Sequence, residues 1–488
     1  MTARPEPRTS TSIGRRAVLK AGMAASGVAA LGPGFWARAY AQTAQPGESP
    51  YGPLQAADAN GVMLPEGFTS RVVARSNTPV GTTPYVWHVF PDGAHCFPTD
   101  DGGWLLVSNS ENPLPADRPV FNEQEIGGVG VIRFAADGSV VDAYRALDGT
   151  RSNCAGGPTP WGTWLSCEEF DLGPGDAGHV YEVDPLRTFA DQGVHRLDGM
   201  GSFKHENAGV DPDRQQVYLS EDQDDGCFYR FTPDAWPDLS VGLLEVAVVA
   251  DDSSVAWREV PDPAATEVET RYQVEGATPF QGGEGCWYDS GHIYLTTKID
   301  DRVWVFDIEA QRISVLYDAK VYDEPVLSGV DHIIVSTHTG DILVAEDGGN
   351  MEVVGITPDG IVYPLARLSG PEHGLDNPLK GVEAIPEQIP AGDIPTRSEI
   401  TGLAFTPDGS RLYFSSQRGA VFGITYEITG PFARDTGGAP PRREPIPQPA
   451  PPPPPTPPLP DTGGGAGLAL GAAAAAAALA LRRRGDRA

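Results

Sequence analysis

One pattern constrains this chain more than any other: short apolar runs that recur in pairs between Gly, Asp and Pro turns. "GWLLVSNS", "GVGVIRFAADGSVVDAYRAL", "GHVYEVDP", "QVYLSEDQDDGCFYRFTPD", "HIYLTTKIDDRVWVFDIEAQRISVLYD", "GDILVAEDGGNMEVVGITPDGIVYPL" and "RLYFSSQRGAVFGITYEI" all belong to it. Many share one plan: an apolar strand, an acidic or polar turn, a second apolar strand, then a D-P or P-D-G turn. Long amphipathic helical patterns are scarce. Length alone would suggest two or three domains. The repeated hairpins instead predict one all-β unit, a β-propeller of about six to seven blades with loop insertions. A pair of β-sandwiches is the rival architecture. In a propeller the inner strands converge on a central channel, so a site there draws single residues from distant segments.

Both ends read as addresses rather than fold. "GRRAVLKAG" carries the paired Arg15 and Arg16, a small and apolar run follows from Ala21 to Phe35, and Ala39-Tyr40-Ala41 offers a small-x-small cleavage site. Residues 1–41 therefore read as a twin-arginine export signal, with an ordinary secretory signal as the rival. The predicted propeller spans 42–440. Residues 441–458 form a Pro-rich linker, stiff in the polyproline II conformation. Residues 459–488 hold "LPDTG", an Ala/Leu-rich stretch and "RRRGDR", which resembles a sortase sorting signal of Gram-positive bacteria. That resemblance implies cutting after Thr462 and attachment to the cell wall, with sortase as a partner. An uncleaved membrane tether is the rival, and it leaves the protein at the same surface.

The whole chain carries a formal charge of -31, of which residues 1–41 contribute +5 and 463–488 contribute +3. The part between them is therefore near -39 (-31 - 5 - 3). Such a surface excludes nucleic acid and anionic lipid as partners of the propeller and suits bound cations. The five cysteines are Cys96, Cys154, Cys167, Cys227 and Cys286. An odd number outside the cell leaves at least one thiol unpaired, and the others could form up to two disulfides. Cys154 is the candidate for a metal-bound thiolate.

Single carboxylates recur beside strand-like runs. They are Glu111 with Asn109 in "NSEN", Glu168 and Glu169 in "SCEE", Glu206 in "FKHENAG", Glu221 and Asp222 in "SEDQDD", Glu284 in "GGEGCW", Asp331 in "SGVDHI", Glu346 and Asp347 in "VAEDGGN", and Glu399 in "RSEITG". Calcium takes six to eight oxygens, and several such loops meeting could supply them. None has the EF-hand pattern. Each acid taken singly reads more simply as a solvated loop residue or a turn cap. Glu284, between two glycines and beside Cys286 and Trp287, is the exception. The dense "SEDQDD" reads as a solvated hairpin tip, in which Glu221 and Asp222 alone are candidates. The nine histidines show no ligand spacing. There is no Walker loop, GxSxG, HExxH or CxxC.

"NCAGGPTPWGTWLSCEE", "FKHENAG", "GGEGCWYDSGHIYLTT" and "SEITGLAFTPDGSRLYFSSQRG" together resemble the PhoX family of bacterial alkaline phosphatases, from about Phe68 to Phe432. The resemblance implies a propeller whose channel holds iron and calcium and hydrolyses small phosphate esters, monoesters above all. It implies Cys154 as the iron-bound thiolate. It implies one or both of Glu168 and Glu169, together with Glu206 and Glu284, as metal ligands, with Asp331, Glu346, Asp347 and Glu399 as further candidates. Two departures stand out. Gly282 occupies the place of the family's phosphate-holding arginine, and Asn109-Ser110-Glu111 replaces an N-H-E segment. Arg397 and Lys298 are the candidates to hold phosphate instead. No residue is identified as nucleophile. A non-catalytic calcium-binding propeller that docks a surface partner, and a calcium-dependent lactonase, are the alternatives.

Overall fold

The computed structural model describes residues 44–112, 127–370, 373 and 398–432. The export signal, the Pro-rich linker, the sorting signal and Arg397 lie outside the described residues. The described chain is all-β and forms six sheets.

Each sheet is one blade. Blade 1 runs Pro91–Pro98, Trp104–Ser110, Gly127–Phe134 and Val140–Thr150. Blade 2 is Asn153–Pro158, Trp164–Glu168 and Val180–Val183. Blade 3 begins with His205–Asp211 and Gln216–Glu221 and continues to Val255–Glu259. Blade 4 begins with Gly283–Asp289 and His292–Thr297, and blade 5 with Val330–Val335 and Ile342–Glu346. Blade 6 is Ile400–Phe405, Arg411–Ser416 and Ile424–Thr429, completed by Thr69–Arg75 from the other end of the propeller. The first strands of the six blades follow one another round a closed ring.

The apolar hairpins legible in the sequence are the second and later strands of the blades. The second strands are buried on both faces between neighbouring blades, so a run such as Ile342–Glu346 is buried throughout, while an outermost strand such as Val140–Thr150 keeps exposed residues. Tyr218, Phe228 and Phe306 pack with Trp257 between blades 3 and 4. Burying each such side chain contributes roughly 2–3 kcal/mol. The inner strands are different. They are rich in Gly and polar residues because they crowd each other round the channel. A Cβ at Gly157 would stand 1.8 Å from the Ala208 carbonyl oxygen on the next inner strand, so only glycine fits there.

All five cysteines are buried and unpaired. The disulfides that the sequence would allow are not formed: Cys96, Cys167, Cys227 and Cys286 pack as apolar residues of the inter-blade core, Cys167 and Cys227 in one cluster and the other two in clusters of their own.

Candidate metal centre

Each inner strand is interrupted by a shift of register near its first residues. The shifts fall at Pro91/Ala94, Asn153/Gly156, His205/Ala208, Gly283/Cys286, Val330/Ile333 and Thr401/Ala404. A bulge bends the strand and re-aims a side chain. Within the first five lie Asp92, Cys154, Glu206, Glu284 and Asp331, and Glu399 precedes the sixth. The second strand of each blade adds a residue just beyond its end. These are Glu111, Glu169, Asp222, Lys298 and Asp347 in blades 1 to 5 and, two residues beyond, Arg418 in blade 6. Six blades thus bring twelve positions to one end of the channel.

Ten of the twelve line one bowl. Seven of those ten are carboxylates, against two cations, Lys298 and Arg418. Glu206 is buried at its base with Oε2 unpartnered. The Cys154 thiol donates to Glu206 Oε1 at 3.1 Å.

Three sets of potential ligand atoms each fall within 4.8 Å of one another: Asp92, Glu111 and Cys154; Cys154, Glu169 and Glu206; and Glu206, Glu284 and Asp331. Cys154 and Glu206 are each shared by two sets. With metal–oxygen distances of about 2.3–2.6 Å for calcium, ligand atoms so spaced can meet on one ion. The three sets could hold cations, with Cys154 and Glu206 each common to two of them. Oxygens suit hard cations, and the thiolate suits a transition metal.

The electrostatics agree with that fit. Burial pushes Asp92 up to about 7 and Glu284 up to about 8. Burial and neighbouring carboxylates push Glu111, Glu206 and Asp331 well above the ordinary range. Burial, with the nearby acids Asp92, Glu206 and Glu169, also raises the Cys154 thiol. Asp92, Glu111, Glu284, Asp331 and Glu399, buried round one bowl, favour their protonated forms unless cations take the place of the protons.

Several sequence candidates serve the fold instead. Glu168 accepts from the backbone N–H of Arg151 at 2.9 Å and of His179 at 3.3 Å, and from the Tyr181 hydroxyl at 3.1 Å. Glu346 accepts from the backbone N–H groups of Ser328, Asn350 and Glu352. Glu221 accepts from Cys227 N–H, Tyr229 and Arg271, so it is a buried anchor and not part of a solvated tip. The physical reason is alternation. Adjacent residues of a strand point to opposite faces, so each acidic pair, Glu168–Glu169, Glu221–Asp222 and Glu346–Asp347, sends its second member towards the bowl. Asp222 holds two lysines and belongs to none of the three ligand sets. Asn109 holds the strand of Cys154, donating to the Cys154 and Ala155 carbonyls at 3.0 and 2.7 Å.

Asp92, Lys204 and Arg418 were not legible as site residues. Asp92 sits in "FPDGAH", which reads as a turn. Its signal is the shared pattern of a donor followed by small residues, as in "CAGG", "ENAG" and "EGC". Arg418 lies 2.9 Å from Glu399. Among the described residues no histidine joins the ligand sets.

A sequence profile described as alkaline phosphatase PhoX matches residues 122–314 and 307–419, more than half of the chain. Among solved structures, the PhoX of Pseudomonas fluorescens in complex with vanadate, a transition state analogue, matches with a TM-score of 0.60 at 17% identity. That match covers 78% of this chain and 97% of the other. A gluconolactonase of Xanthomonas campestris matches with a TM-score of 0.40 at 13% identity, over 78% and 99% of the two chains. A calcium-binding regucalcin of Agrobacterium tumefaciens gives 0.39 at 13% identity, over 75% and 96%. No curated protein matches.

Proposed function

Because the chain belongs to the PhoX alkaline phosphatase family, we propose that it is a metal-dependent phosphatase that hydrolyses phosphate monoesters. The observation that carries this reading is the run of three ligand sets joined through Cys154 and Glu206. A bowl walled by carboxylates repels phosphate until cations fill it, so activity requires the metal-loaded state.

Cys154, Asp92, Glu111, Glu169, Glu206, Glu284 and Asp331 would hold the cations, with iron at the thiolate and calcium among the carboxylates. Bound cations supply the positive charge that stabilises the phosphoryl transition state and the Lewis acidity that activates water. The protein's part is positioning. Asn109 fixes the backbone of Cys154 by two hydrogen bonds. Gln417 donates to Asp92 at 2.5 Å and also to Glu111, holding that ligand set together. Position 282 is bare because the stem of Lys298 lies over it: a Cβ there would come within 2.9 Å of Lys298 Cγ. With glycine at 282, the side-chain cations lining the bowl among the described residues are Lys298 and Arg418.

The reading extends to location. The signal at 1–41 and the "LPDTG" segment support twin-arginine export and sortase attachment at the outer surface of a Gram-positive bacterium, where the enzyme would release phosphate. Thr462→Ala would then shed the protein into the medium or leave it membrane-bound.

The deciding experiment is elemental analysis of the natively exported protein together with hydrolysis of p-nitrophenyl phosphate and a phosphodiester. Iron and calcium with monoester turnover support the proposal. A fully metal-loaded protein that hydrolyses neither ester overturns it.

A further inference from the structure

Five side chains form a continuous run of alternating charge, Glu169, Lys204, Asp222, Lys298 and Glu284, of which Glu169, Lys298 and Glu284 line the bowl. Lys204 Nζ lies 2.8 Å from Glu169 Oε1 and 2.6 Å from Asp222 Oδ2. Lys298 Nζ lies 2.9 Å from that same Asp222 oxygen and 2.5 Å from Glu284 Oε1. One oxygen of Asp222 thus gathers both ammonium groups.

The arch is built into the backbone. Asp222 N–H donates to the Lys204 carbonyl at 3.2 Å, and Lys298 N–H donates to the Gly282 carbonyl at 2.8 Å. Gly282 has φ +63° and no side chain, which leaves the path open along which the Lys298 stem runs. Asp222 is buried, 4% exposed.

The two lysines differ in what they face. Lys298 lines the bowl and Lys204 does not. An ammonium has three N–H groups. Asp222 accepts one of those on Lys298, and Glu284 stands beside it as an ion pair, so the ammonium keeps N–H capacity for a ligand in the bowl. Because Glu284 also belongs to a cation set, that ammonium stands beside the place where an oxyanion would meet a bound cation.

We propose that Asp222 is a positioning residue that presents Lys298 as the side-chain cation for a phosphoryl oxygen of the substrate, while Lys204 steadies the ligand Glu169. This rests on the phosphatase reading above. A lysine held between two carboxylates acts as a fixed point charge.

The test uses the metal-loaded full-length protein. Inorganic phosphate and vanadate binding are measured by calorimetry, KM and kcat with p-nitrophenyl phosphate, and metal content by elemental analysis. Lys298→Met keeps the stem and removes the charge. It should raise the phosphate Kd and KM on the order of 10- to 100-fold, the loss of one charge-assisted hydrogen bond, with metal content retained. Lys298→Arg should restore most of the affinity. Asp222→Asn should shift Kd and KM in the direction of Lys298→Met although Lys298 is present. Phosphate affinity unchanged in Lys298→Met or Asp222→Asn overturns the assignment. So does an affinity loss that tracks metal loss across all three variants, since the arch would then serve the ligands alone. Wild-type protein that is metal-loaded but binds no phosphate overturns the phosphatase reading itself. Wild-type binding with unaffected variants overturns only the role of the arch.

Discussion

Cys154 Sγ and Glu206 Oε1, 52 residues apart in the chain, meet at 3.1 Å between blades 2 and 3. Each is shared by two of the three ligand sets, so this contact is the middle of the candidate centre. A soft donor and a hard donor side by side suit a mixed pair of ions better than one kind alone. A thiol pushed up by burial also loses its proton only to a strongly binding metal.

Cys154→Ser keeps a hydroxyl donor for Glu206 and removes the thiolate. The fold should remain, since Cys154 is small and the replacement nearly isosteric. Transition-metal content should fall at least ~10-fold, in line with the loss of a direct ligand. The thiolate-to-metal absorption band should vanish and phosphatase activity with it. A variant that retains its metal and its turnover would remove Cys154 from the centre.

Removing the metals should make stability fall as pH rises. Burial raises Asp92 from 3.8 to about 7 and Glu284 from 4.5 to about 8 in the folded, metal-free protein. The fold therefore prefers their protonated forms. Their contribution is fully present below about pH 4, is lost progressively as pH rises to about 8, and is constant above that. Cations take the place of those protons in the loaded protein. Thermal melts from pH 4 to 9 should show Tm falling with pH after chelation and holding level when metal is restored. A chelated protein at its most stable near pH 8 would contradict the clustered-acid picture.

The propeller was legible because its second strands are sandwiched between blades, and that burial writes apolar runs into "ILVAE" and "RLYFSS". The six inner strands were not, since "NCAGGP" and "HENAGVD" are selected for close approach and for donors rather than for apolar packing. The blade count stayed open for the same reason. In the site, sequence showed which loops carry acids but not which acid of a pair faces inward. Applying strand alternation to Glu168–Glu169 and Glu346–Asp347 would have sorted them. Asp92 was hidden by a Pro-Asp-Gly string that looks like a turn, and Arg418 by the absence of any spacing tied to its role.

Glu346 offers a direct check on that sorting. Its carboxylate accepts three backbone N–H groups, from Ser328 at 2.9 Å, Asn350 at 3.2 Å and Glu352 at 3.0 Å. Glu346→Gln places an amide donor against some of those donors and should cost about 1–3 kcal/mol of stability. Metal content should not change. Asp347→Asn, on the bowl side, should show the opposite pattern, with metal or phosphate binding weakened and stability nearly intact. Metal loss in Glu346→Gln without a change in Tm would return Glu346 to the ligand set.

Closure of the ring rests on a second buried acid remote from the bowl. Thr69–Arg75 pairs antiparallel with Ile424–Thr429, so a strand from the N-terminal side of the propeller completes its last blade. Glu427, 1% exposed, accepts from Arg411 at 2.6 Å, Arg71 at 2.7 Å and the Tyr413 hydroxyl at 2.5 Å. Arg71 is nearly half exposed, so water screens its share of the attraction. The more enclosed Arg411 and the buried Tyr413 therefore carry most of the anchor. Glu427→Gln leaves those donors facing a weaker acceptor and should destabilise the protein by about 3 kcal/mol, lowering Tm by several degrees. Because the closing strand is the element affected, hydrogen exchange should quicken first in Thr69–Arg75 and Ile424–Thr429, while bound metal keeps the inner strands protected. Uniform acceleration across all six blades would mean that the ring opens as one unit rather than at its seam.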